Sequence, residues 1–198
     1  MIRTLIGKGR PRRVIVTLLL AILLVGLAGV PGVMGSVVAE AKNNKVKGPK
    51  PPKERTVDVV ITKKATRLRT ADGYVVMDVA PGVTFQLDHH KGNKVWVKGP
   101  SGTSYYFPSS DVKIEKGHKA SVGNMTESQF QSFGLQVTAA RVTAVMQATY
   151  SATGTDLPRG RRTEWQDRVL FQMSIQAGIE VPTLSLMIEW ASYSGYID

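Results

Sequence analysis

Two patterns of apolar and polar positions divide the chain. Residues 57–114 alternate in short runs, and from Thr126 onward the apolar positions recur at helical spacing. In the first part, residues 57–62 place Val57, Val59 and Ile61 on one side, and residues 83–88 do the same with Val83, Phe85 and Leu87. Residues 94–98 set Val95 and Val97 opposite Trp96. Residues 74–79, Tyr105-Tyr106-Phe107 and Val112-Lys113-Ile114 complete the set, separated by Ala80-Pro81-Gly82, a loop over 89–93 and Gly99-Pro100-Ser101-Gly102. Runs of β-branched and aromatic residues punctuated in this way predict a small barrel or sandwich.

In the second part, Thr126 with Gln129 three residues on is a capping-box pattern. Phe130, Phe133, Val137, Ala140, Ala144, Val145 and Ala148 then fall on one face through Tyr150. A polar turn over 151–162 precedes Thr163-Glu164-Trp165-Gln166, a second helix start. Its expected buried face is Trp165, Val169, Leu170, Met173 and Ala177, with Gly178 as the stop. Pro182 suits the first turn of a third helix, with Leu184, Met187, Ile188 and Ala191 as its apolar stripe. Three such helices make a small bundle or a cap on the strands.

The N-terminal 41 residues have the layout of an export signal. Arg3, Lys8, Arg10, Arg12 and Arg13 precede a stretch, residues 14–39, that holds no charged side chain across 26 positions. Pro31-Gly32 interrupts it, and the small residues up to Ala39-Glu40-Ala41 offer cleavage patterns. The layout fits a cleaved signal peptide best, with a retained single-pass transmembrane anchor, N-terminus inside, as the alternative. Either gives export across the cytoplasmic membrane to the cell envelope or beyond. Arg12-Arg13-Val14-Ile15-Val16 also fits the core of a twin-arginine signal, although the Leu-rich core suits the general secretory route.

The formal charge of +11 changes meaning once it is located. Residues 42–55 carry Lys42, Lys45, Lys47, Lys50, Lys53 and Arg55 against Glu54 alone, whereas residues 56–198 hold 15 basic and 13 acidic side chains. The 42–55 segment, rich in lysine and proline, reads as an extended linker whose lysines can meet an anionic surface or polymer. No run of basic residues marks a stripe on a folded face, which argues against nucleic acid as partner. The absence of cysteine excludes disulfides, thiolate catalysis and a lipid-anchored N-terminus, and leans toward a bacterial source.

Within residues 57–114, Ala65-Thr66-Arg67-Leu68-Arg69-Thr70 up to Gly73, Val79-Ala80-Pro81-Gly82-Val83, Trp96-Val97-Lys98, and Gly102 ahead of Tyr105-Tyr106-Phe107 resemble the bacterial SH3-like (SH3b) family. The resemblance implies a recognition module on an exported protein, often one for cell-wall material. The usual glycine-tryptophan pair of the last strands is absent.

Candidate chemistry is sparse. His89 and His90 beside Asp88 are the densest set of metal-ligand types, but neighbours on a strand point to opposite faces, so a solvated loop is the simpler reading. No serine stands in a nucleophile elbow. Glu127-Ser128 faintly resembles the catalytic pair of lytic transglycosylases, but the spacing is too short for that fold and a first-turn acid is explained by the helix dipole. Ser174, Gly178, Val181 and Leu184 fall at helix-turn-helix offsets, but residues 182–194 contain Glu189 and no lysine or arginine, whereas phosphate contacts dominate DNA affinity.

The expected fold is therefore α+β: a signal or anchor helix (1–41), a linker (42–55), an SH3-like β-barrel (56–116) and a helical segment (117–198). The expected function is a non-enzymatic envelope protein, exported or membrane-tethered, whose barrel binds a wall polymer, peptide or protein. The alternatives are an assembly subunit of an envelope or secretion complex contacting its partner through the helices, and a wall hydrolase. Trp96, Tyr105, Tyr106, Arg159, Arg161 and Arg162 are the candidate ligand residues, and no cofactor is expected.

Overall fold

A computed structural model describes residues 49–151 and 156–197. The strands are β1 (Glu54–Thr62), β2 (Thr66–Arg69), β3 (Val75–Val79), β4 (Thr84–Lys91), β5 (Lys94–Lys98), β6 (Ser104–Pro108) and β7 (Val112–Ser121). The helices are α1 (Glu127–Tyr150), α2 (Arg162–Gln176) and α3 (Val181–Tyr193). All seven strands form one antiparallel sheet in the order β3-β2-β6-β5-β4-β1-β7.

The sheet is open, and this corrects the expected SH3-like barrel. A barrel closes by pairing its edge strands, whereas β3 and β7 stand at opposite ends of the sheet and do not pair with each other. The side chains that would fill a barrel interior instead face helices. Leu68, Val76, Phe85, Val97, Tyr105 and Phe107 share one core with Phe171 of α2 and Val181 of α3. The Phe171 ring meets Phe85 at 5.4 Å and Tyr105 at 5.9 Å, both edge-on. The fold class is thus α+β with a seven-stranded open sheet and three helices, and a function routed through a closed barrel falls with the barrel.

Placing α2 between the sheet and α1 explains why its buried positions exceed the expected stripe. Trp165 packs with Ala144 and Ala148 of α1, and Leu170 with Phe130 and Phe133. Asp167 and Phe171, one turn apart, are fully buried too. A helix covered on two sides shows no single apolar face. The Thr163–Gln166 capping pattern is unused, since the N-cap is Arg161 and makes no side-chain cap bond. The Thr126 box does form, with the Thr126 amide donating to Gln129 Oε1 at 2.7 Å. Buried Val181, Leu184, Leu186, Met187 and Trp190 leave α3 little free surface to enter a DNA groove.

Strand β1 begins inside the segment expected to be linker. Trp190 Nε1 donates to the Pro52 carbonyl at 2.9 Å, Lys50 lies over the Trp190 ring, and Arg55 makes a two-pronged bond to Glu189 at 2.8 Å.

Among the described residues no helix is long and apolar enough to cross a membrane. The membrane-tethered, single-pass reading therefore has no counterpart in the described fold. The run over 14–39 on which it rests lies outside the described residues, as do Lys42, Lys45 and Lys47.

Candidate functional site

Alternation along β5 puts Val95 and Val97 in the core and leaves Lys94, Trp96 and Lys98 on the opposite, outer face. On β6 the same rule buries Tyr105 and Phe107 and turns Tyr106 outward. Trp96 pairs with Tyr106, and Tyr106 with Arg69 of β2, so these side chains stand side by side on one face.

A β-bulge supplies the fourth member. The β4–β5 register slips between Leu87 and His89, so His89, not Asp88, pairs with Trp96. A bulge sets two residues against one and re-aims the side chains beyond it. Asp88 and His89 thereby approach the same neighbours, while His90 pairs with Val95. The result is a row across four strands: His89, Trp96, Tyr106, Arg69.

The rings of this row cover one another. His89 lies on Trp96 with centroids 5.3 Å apart and planes 12° from parallel, and Trp96 meets Tyr106 at 5.2 Å with a tilt of 52°. The Lys94 ammonium sits 4.0 Å from the Tyr106 centroid. Much of the ring faces is thus taken by protein partners. Trp96 Nε1 is buried and has no hydrogen-bond partner among the described residues.

Charge surrounds the row. Lys98 pairs with Gln86, and Lys94 with Lys91, which brings three lysines to this face beside Arg67 and Arg69. Asp78 bonds Arg67 at 3.3 Å. Asp88 accepts from Ser104 Oγ at 2.7 Å and lies 3.0 Å from His89 Nδ1. The Ser104 hydroxyl holds the Asp88 carboxyl below its usual range, with His89 adding to the effect and partial burial opposing it. Five cations thus stand against two carboxylates.

A shallow cleft of about 270 Å³ adjoins the row, lined by Ala65, Thr66, Arg67, Arg69, Pro108 and Asp111. It opens where β2 and β6 pair only through Arg69 and Tyr106. Its acid is committed: Lys64, Ser110 and Thr66 hold the Asp111 carboxyl down at about 2.

Ser104, Asp88 and His89 are the types of a nucleophilic triad in the wrong order. Ser104 donates to the carboxylate and not to the imidazole, so no base faces its oxygen. Glu127 accepts from the Tyr196 hydroxyl. His118, on β7, lies 2.6 Å from Glu180. Among the described residues no three His, Asp or Glu side chains gather as a metal-ligand set.

The other expected ligand residues are dispersed. Tyr105 is fully buried and donates to Asp167 at 2.8 Å, and burial pushes its hydroxyl pKa far up. Arg161 bonds Asp72 and Glu164 and covers the Tyr74 ring at 4.5 Å, tying α2 to the β2–β3 turn. Arg159 donates to the Ser151 carbonyl, and Arg162 is exposed. Lys94 and Lys98 could have been added to Trp96 by alternation alone. Arg69 could not, because only the β2–β6 pairing brings it near. Comparison with known proteins finds no matching family, no similar curated protein and no similar solved structure, so the expected SH3-like membership is not upheld and the site stands on its own geometry.

Proposed function

We propose that the protein is a non-enzymatic binding module that holds an anionic glycan polymer on the outer face of its sheet. The observation that carries this reading is the His89–Trp96–Tyr106–Arg69 row with its ring faces occupied and lysines and arginines around it. A ring row covered in this way presents edges, where the aromatic quadrupole is positive. Together with Lys91, Lys94, Lys98 and Arg67 they favour carboxylate or phosphate groups on a chain lying across the strands. A stacking platform for nucleobases needs open ring faces, which favours the acidic glycan over single-stranded nucleic acid.

Trp96 gives the assay. Trp165 and Trp190 are buried, whereas Trp96 is half-buried, so ligand contact reports mainly through Trp96 fluorescence. Titration with alginate, a polyuronate, should change that emission and weaken with salt. Trp96→Ala should lower affinity about 30-fold, in line with a loss of about 2 kcal/mol for an anchoring aromatic. Lys94→Ala with Arg69→Ala should lower it about 10-fold. Equal binding of neutral dextran, or tighter binding of oligo-dT than of alginate, would overturn the reading.

A further inference from the structure

The cleft beside the ring row has a chemistry of its own. Continuing the register of Arg69 with Tyr106, the next position on the same face of β2, Arg67, falls opposite Pro108 of β6. Proline has no N–H to donate to a ladder, so the two strands part there and leave the gap of about 270 Å³. Arg67 and Arg69, two residues apart on one strand, both line it from the outer face. Arg67 uses only Nε, on Asp78 at 3.3 Å, and these two side chains are 58% and 83% exposed. An exposed pair of this kind contributes little, so Asp78 yields Arg67 to a competing anion. Arg69 Nη1 donates to the Gly73 carbonyl at 2.9 Å, which anchors that guanidinium. Both terminal nitrogens of Arg67, and Nε and Nη2 of Arg69, have no hydrogen-bond partner among the described residues. The acid lining the cleft does not claim them. Asp111 Oδ1 takes Lys64 at 2.9 Å and Ser110 Oγ at 2.7 Å, and Oδ2 takes Thr66 Oγ1 at 2.7 Å.

We infer that the cleft is a second binding site, which takes a phosphomonoester group between Arg67 and Arg69. Two guanidinium forks with unused donors suit a group that brings three acceptor oxygens and a charge between about −1.5 and −2 at pH 7. A carboxylate brings two oxygens and one charge, which a single fork satisfies. The volume lies just under the roughly 300 Å³ at which pockets for drug-sized ligands begin. It therefore admits the phosphorylated end of a sugar, a polyol or a lipid, and not a length of polymer. Arg69 borders both sites, but Arg67 and Pro108 stand outside the ring row, and the cleft needs no glycan on that row in order to bind.

Methyl phosphate, titrated into the full chain with no glycan present, should shift the Arg67 and Arg69 Nε–Hε signals saturably in proton–nitrogen correlation spectra. It should bind about 5-fold more tightly than acetate or dimethyl phosphate, which carry one charge each. Arg67→Ala should weaken methyl phosphate binding about 10-fold. Arg67→Lys should recover only part of that loss, because an ammonium keeps the charge and lacks the fork. Asp78→Asn removes the competing acid and should tighten binding about 2-fold. Lys119→Ala, an exposed position on the edge strand at the other end of the sheet, should change nothing. Phosphatidylcholine vesicles containing phosphatidic acid, compared at equal phosphate, identify the source: tighter binding than methyl phosphate assigns a lipid headgroup, weaker binding a soluble one, and both keep the phosphate chemistry. Equal affinity for acetate, no loss in Arg67→Ala, or the same loss in Lys119→Ala as in Arg67→Ala would overturn the inference.

Discussion

Phe171→Ala should lower the unfolding free energy by about 3–5 kcal/mol, the range for emptying a fully buried aromatic site. Phe171 is 0% exposed and touches rings from two strands, Phe85 of β4 and Tyr105 of β6. In a closed barrel the strands would fill that space themselves. In the open sheet one helix side chain fills it, so the loss falls on the joint between sheet and helices. Urea denaturation monitored by circular dichroism measures the effect as a fall in midpoint. Leu135→Ala, at a solvent-exposed position of α1, is the control and should change stability by less than about 0.5 kcal/mol. A Phe171→Ala protein within about 1 kcal/mol of the parent would mean that the sheet and helices do not share a core.

The second large effect is at Asp167. Its buried carboxylate accepts from the Ser101 amide at 2.9 Å, Ser101 Oγ at 2.5 Å and the Tyr105 hydroxyl at 2.8 Å. Asp167→Ala strands these donors in a dry site and should cost about 3 kcal/mol or more. Gly99 belongs to the same joint, because a Cβ there would collide with Asp167 Oδ2 and lie 2.6 Å from the Tyr105 ring. Gly99→Ala should therefore also destabilise.

Burial pushes the Asp167 pKa up, opposed by its hydrogen bonds from Ser101 and Tyr105. A carboxyl whose folded pKa exceeds its unfolded value, about 3.9, binds protons more tightly in the folded state. Its stabilising contribution is complete below that unfolded value and is lost as pH rises through the folded one. Asp111 has the opposite sign: held at about 2, it stabilises above pH ~4 and loses that contribution as pH falls toward 2. Asp167→Asn should therefore remove a fall in stability on the alkaline side of pH 4 and leave the acid limb intact. Urea titrations of both proteins between pH 2 and 7 test this. An unchanged difference between them across that range would contradict the assignment.

The strands and helices are largely legible in residues 57–193 because alternation and capping are local signals. Alternation places Lys94–Lys98 at its observed bounds, and Thr126 with Gln129 marks the α1 start. Closure is not legible. Whether β3 and β7 meet depends on what covers the inner face, and Phe171 and Val181 lie far away in sequence. The helical period of α2 is plain along the chain, whereas its two-sided burial is not, because Asp167 and Ser174 look like solvent positions until the sheet is placed against them. At the outer face, alternation alone turns Trp96 and Tyr106 to the same side. It does not add His89, because a bulge leaves no signature in the alternation and reverses the face of the residues after it.

The bonds from Trp190 to Pro52 and from Glu189 to Arg55 also set the order in which the fold can be completed during synthesis. All seven strands leave the ribosome before α3, at a typical elongation rate of about 5–20 residues per second. For several seconds the residues of the sheet are synthesised before those that cover them, and the start of β1 before its partner helix. A factor that shields the apolar residues of these strands would therefore act between the appearance of β7 and that of α3.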